Sequence, residues 1–149
     1  MEHARLIRGR YAILIPDRLT ATYSALGGGW PLAFEFDGTP HPQARIQVAK
    51  GRAYRPDEKD QRELRKLLRV LHEGEPLTGS VVLCAAFYLP DRRTRDTDNM
   101  LKHLGDSANG ILWADDRQVT GMAGYAELDR ERPRTVVLYG ADDLTTLRR

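Results

Sequence analysis

Two short segments hold the side chains that could do chemistry: Arg95-Asp96-Thr97-Asp98-Asn99 and, further along, Asp115-Asp116-Arg117-Gln118-Val119. Carboxylate oxygens are hard donors suited to Mg²⁺ or Mn²⁺. An acidic cluster among arginines is what metal-assisted hydrolysis of a phosphodiester requires, because an ion neutralises charge on the phosphate while guanidinium groups hold the backbone. In an extended chain Asp96 and Asp98 project to the same side. A turn after Ile111-Leu112-Trp113 would fold Asp116 back toward them. At helical spacing Asp98, Lys102 and Asp106 lie one above another, opposite a buried stripe of Leu101, Leu104, Ala108 and Ile111. Spacing alone leaves Lys102 two roles. It either pairs with Asp98 and Asp106 in an i,i+4 ladder, at roughly 0.2–0.5 kcal/mol per pair, or it orients the scissile phosphate. An EF-hand loop is excluded: counted from Asp96, Met100 takes a ligand position, Leu101 replaces the turn glycine and Ser107 the terminal glutamate.

The elements that must position these residues follow from periodicity. Residues 31–36 alternate, with Leu32, Phe34 and Phe36 on one face of a strand. Residues 38–55 form a loop or irregular hairpin carrying cations. Pro56 opens a helix whose Leu64, Leu67, Leu68 and Leu71 keep helical spacing until Gly74 and Pro76 end it. The apolar run 81–89 reads as a buried central strand stopped by Pro90. Thr97 or Asp98 caps the next helix, which runs to about Asn109 with Gly110 beyond its end. Residues 118–128 and 134–139 read as two further strands. The sum is an α/β (mixed α+β) single compact domain, a mixed sheet packed by two main helices. It divides into an N-terminal extension with strand character (1–30), a core (31–140) and a polar tail (141–149).

Composition narrows the class. A chain of 149 residues suits one domain, and 41% hydrophobic with 30% charged residues describes a folded protein. Arginine dominates the cations: Arg45, Lys50, Arg52 and Arg55 form one run, Arg62, Arg65, Lys66 and Arg69 another, and Arg92, Arg93 and Arg95 flank the acidic segment. Such runs suit nucleic acid, although the middle one equally describes a solvated helix face. The lone Cys84 excludes an intramolecular disulfide and a cysteine zinc site, and its apolar surroundings place it in the core. No segment resembles a signal peptide or a membrane span, so a cytoplasmic protein is expected. His3, His41, His72 and His103 read as scattered surface residues, Trp30 and Trp113 as core or interface anchors, and Asp142 and Asp143 as solvated.

Taken together, Arg95-Asp96-x-Asp98-Asn99-x-Leu101-Lys102, Asp106-Ser107-Ala108-Asn109-Gly110-Ile111 and Asp115-Asp116-x-Gln118-Val119 resemble the signature of RusA-type Holliday junction resolvases in order, spacing and residue type. A looser likeness, including the basic stretches around 42–45 and 50–54, extends over residues 31–140. The resemblance implies a compact α/β homodimer that cuts opposed strands of four-way junction DNA in a Mg²⁺-dependent reaction, with Mn²⁺ able to substitute. The setting it implies is bacterial or phage recombination and repair, at the nucleoid. Paired nicks need two sites, so dimerisation belongs to that mechanism. Carried over by position, Asp96, Asp98 and Asp116 are the metal-binding carboxylates, Asp115 is auxiliary, and Lys102 is the catalytic lysine. Arg95 contacts the phosphate beside the cut, with Arg45, Lys50, Arg52 and Arg93 as further DNA contacts. Ser107 and His103 depart from the pattern, and neither occupies a metal position. The alternatives are a nuclease of broader branched-DNA specificity and a junction-binding protein that has lost cleavage.

Overall fold

All nine residues of Val81–Leu89 are buried, which a strand achieves only when both faces of its sheet are covered. The computed structural model describes residues 2–8, 11–42, 47–54, 58–93 and 95–142 and shows how. The chain runs β1 (Glu2–Arg8), β2 (Tyr11–Pro16), α1 (Asp17–Ala25), β3 (Leu32–Asp37), β4 (Gln47–Ala49), β5 (Arg52–Tyr54), α2 (Glu58–Leu71), β6 (Val81–Leu89), α3 (Thr97–Ala108), β7 (Val119–Leu128) and β8 (Arg134–Ala141). β1 pairs with β2 and β4 with β5 in small hairpins, while the central sheet has the order β3-β8-β6-β7. β6 and β7 are parallel, joined by a crossover through α3, and the other pairs are antiparallel. The result is one mixed-sheet α+β domain.

Alternation along β7 assigns the covers. A side chain at Gly124 would meet Leu101 of α3, whereas the ring of Tyr125 lies 4.1 Å from the guanidinium of Arg18 on α1. Consecutive residues point to opposite faces, so α3 and α1 sit on opposite sides of the sheet. Phe34 is fully buried, and Leu32 and Phe36, partly buried, share its face as their spacing predicts. On α2 the seated ridge is Leu64, Leu68 and Leu71, and Leu67 turns outward. Cys84 is in the core, where burial pushes its thiol up to about 11.

Several expectations need correction. The domain has a third helix, α1, within the segment read as strand-bearing. It begins after Pro16 with no side-chain cap, and only Leu19 and Tyr23 are buried along it. His72 and His103 are not surface residues: they are 7% and 4% exposed. Glu75 O can only accept, so His72 Nε2 donates to it (2.9 Å) and, in the neutral ring, Nδ1 accepts from Tyr139 O–H (2.6 Å). Trp113 is fully buried but Trp30 is 83% exposed. Asp142 is buried rather than solvated; its carboxylate accepts from Thr120 Oγ1 and its N–H donates to Ser80 O. Asp143 lies outside the described residues. Close packing also fixes Gly140, where a Cβ would stand 2.6 Å from Trp30 O.

Candidate active site

Asp96, not Thr97 or Asp98, caps α3. Its Oδ1 accepts the N–H groups of Asp98 (3.0 Å) and Asn99 (3.3 Å), and its Oδ2 accepts from Asn99 Nδ2 (3.1 Å). Aspartate is among the best N-caps because it satisfies donors the first turn leaves unpaired, and Asp98 in that turn complements the helix dipole. The extended geometry expected for Asp96 and Asp98 is therefore replaced by a cap followed by a helical turn. Past the far end of α3, Gly110 adopts φ of 81° and turns the chain.

The second acidic segment is held as firmly. Asp115 caps a single 3₁₀ turn, Asp116–Gln118, in a capping box: Asp115 Oδ1 accepts Arg117 N–H and Gln118 Oε1 accepts Asp115 N–H. Gln118 Nε2 also donates to Leu77 O (2.8 Å) and Gly79 O (2.9 Å), tying the turn to the segment that leads into β6. Buried Trp113 donates Nε1–H to Asp116 Oδ1 at 2.9 Å. The hydrogen bonds of Arg117 hold the Asp115 carboxyl below the usual range. Sequence reasoning read Trp113 as an anchor of this turn but not as a hydrogen-bond donor to Asp116, and it did not identify Asn99 or Gln118 as positioning residues. The spacing of Gln118 three residues after Asp115 was the available signal.

Asp98, Lys102, Asp106 and Asp116 line one groove of about 250 Å³ whose apolar wall includes Val119 and Met122. Lys102 is exposed and, among the described residues, makes no ion pair with Asp98 or Asp106, so the ladder allowed by spacing is not formed and the lysine lines the groove instead. Asp98 and Asp106 are two turns apart, about 12 Å of helical rise. The groove accordingly runs along α3, and Asp98 and Asp116, from the two acidic segments, both line it. Among the described residues no three carboxylate, imidazole or thiol groups are gathered as an enclosing metal site.

The anticipated DNA contacts separate. Arg95 binds Asp91 through both terminal nitrogens (2.8 and 3.3 Å) and its side chain is only 16% exposed. Arg93 is exposed beside it. Lys50 and Arg52 are exposed at the tip of the β4–β5 hairpin, and Arg45 lies outside the described residues. The side-chain hydrogen bond from Arg95, then the main-chain one from Arg93, hold the Asp91 carboxyl down at about 2 against an ordinary 3.8. A depressed folded-state value contributes stability that is present above the ordinary value and lost as pH falls through the lower one. Asp91→Asn should therefore remove part of the acid dependence of unfolding between 3.8 and about 2, read by circular dichroism. An unchanged acid limb would show that the pair does not support the fold.

Residues 36–138 match the family model described as endodeoxyribonuclease RusA, which makes the chain a DNA-cutting hydrolase. The chain belongs to the RusA family of Holliday junction resolving endonucleases, a bacterial and phage family that acts in recombination with a divalent metal. No curated protein matches it. Among the described residues no helix is long and apolar enough to cross a membrane. The donor set in the groove is all oxygen, which suits a hard ion. Mg²⁺ commonly takes only one or two carboxylates and completes its shell with water and substrate phosphate, a mode the open groove accommodates.

Proposed function

We propose that this protein resolves four-way DNA junctions as a homodimer, making paired symmetric nicks in a Mg²⁺-dependent reaction for which Mn²⁺ can substitute. The observation that carries the reading is the groove on α3, where Lys102, without an ion pair among the described residues, lines one cleft together with Asp98, Asp106 and Asp116. Asp98 and Asp116 would hold the ion, with the remaining lone pairs of Asp96 and, as an auxiliary, Asp115 contributing. When bound it supplies neutralisation of phosphate charge and the acidity that readies water for attack.

The chain's own groups do the rest. Lys102 donates to a non-bridging oxygen of the scissile phosphate and offsets the charge that builds as the phosphate becomes pentacovalent. Asn99 and Trp113 fix one carboxylate oxygen each, so that Asp96 and Asp116 reorganise little on binding. Arg93, Lys50 and Arg52 hold flanking phosphates, and Arg95 joins them if Asp91 releases it. Homodimerisation follows from the need for two opposed sites. A role in repair and an association with the nucleoid belong to the same proposal.

The test is cleavage of a labelled immobile four-way junction beside a flap and a linear duplex, with products resolved to the nucleotide. Symmetric nicks confined to the junction are expected. Comparable cutting of the flap would make the protein a broader branched-DNA nuclease, and binding without nicks would make it a junction-binding protein.

A further inference from the structure

The loops that leave β6 and β7 repeat one design. The two strands are parallel and end in register at Leu89 and Leu128, so both loops emerge from the same end of the sheet. Asp129 N–H joins them by donating to Leu89 O at 2.8 Å. Each loop is built on an aspartate. Asp91 Oδ1 accepts the N–H of Arg93 (2.9 Å) and the guanidinium of Arg95 (2.8 Å). Asp129 Oδ1 accepts the N–H groups of Glu131 (3.2 Å) and Arg132 (3.0 Å), and its Oδ2 accepts from the guanidinium of Arg134 (2.7 Å). An aspartate bonded to the main chain two residues on fixes a turn. Arg132 adds ties to Glu35 (2.7 Å) and Asp37 (3.0 Å) of β3, and Arg134 lies 3.9 Å from the centre of the Tyr88 ring.

These carboxylates therefore serve the loops themselves. Arg92, Arg93 and Arg130 remain, all exposed and none with a carboxylate partner among the described residues, with Glu131 exposed beside them. A guanidinium on a fixed turn grips a phosphate without the cost of first ordering the loop. The loop after β6 runs straight into Asp96 and Asp98, so the cationic tips flank the start of the acidic groove.

We propose that Arg92, Arg93 and Arg130 form a twin-loop clamp on the phosphodiester backbone, holding the DNA arm next to the strand that enters the groove at Asp98. The inference rests on the reading of the chain as a junction nuclease. Arg92 and Arg93 were anticipated from the sequence, in the run beside the acidic segment; Arg130 comes from the loop that follows β7.

The test is equilibrium binding of the native chain to a labelled four-way junction and to a linear duplex in EDTA, across a salt series, beside R92Q, R130Q, the double variant and R130K. Each phosphate contact contributes about 0.9 to the slope of log K against log salt. Each glutamine variant should lower the slope by about that amount and the double variant by about twice as much, with R130K close to native. Thermal midpoints should stay unchanged, because the turns are built without these side chains. A native slope in the double variant, an R130K as impaired as R130Q, or midpoints that drop with the slope would each overturn the clamp. If the native chain itself shows no preference for the junction, it is the junction-nuclease reading that fails.

Discussion

Asp98→Asn should leave junction affinity at or above the native value while cleavage falls by at least about 10³-fold. The two effects separate because the carboxylate has two electrostatic consequences of opposite sign. It repels the incoming phosphate, so its loss favours binding. It is also the donor at the entrance of the groove, in the first turn of α3, where a divalent ion would share it with the phosphate. Asparagine keeps the shape and an acceptor oxygen but not the charge, so helix and groove should persist. Lys102→Ala should differ in kind, weakening affinity as well as rate. The measurement is single-turnover cleavage with binding isotherms on the same junction, and native-rate cutting by the asparagine variant would remove Asp98 from the reaction.

The second large effect concerns Trp113, which is fully buried and also hydrogen-bonded to Asp116. Trp113→Ala should cost about 3–5 kcal/mol in unfolding free energy, the range for emptying a large aromatic site. Trp113→Phe retains most of the apolar surface and removes the N–H. It should fold with a modest loss and yet cleave on the order of 10²-fold more slowly, because Asp116 loses the contact that fixes its orientation. Chemical denaturation and cleavage on the two variants separate packing from positioning. A phenylalanine variant that cuts at the native rate would show that Asp116 is placed by the 3₁₀ turn alone.

What the sequence disclosed depended on how local the signal was. The run around Cys84 and the stripe of Leu101, Leu104 and Ala108 announced β6 and α3 because burial pattern and period coincide there. α1 was hidden because its inward side is only Leu19 and Tyr23, one turn apart, among threonines and a serine with little helix preference. Asp96, Thr97 and Asp98 are all competent caps in a row, so residue type could not choose between them. The burial of His72 rests on Tyr139, a partner 67 residues away. The chemistry of the candidate site was legible from Asp98, Lys102 and Asp116. Its extent was not, because a groove stretched along a straight helix leaves no mark on the spacing of the two acidic segments.

The stretch matched by the family model begins at Phe36, after the hairpin of β1 and β2 and after α1. Yet α1 is what covers the side of the sheet opposite α3, over Tyr125 and against the main chain at Gly140. The recognisable part of this protein is therefore not a portable part. A fragment trimmed to the matched residues would keep Asp96, Asp98, Asp115, Asp116 and Lys102, but would present Cys84, Ala86 and Leu138 to water and tend to aggregate before it could meet DNA.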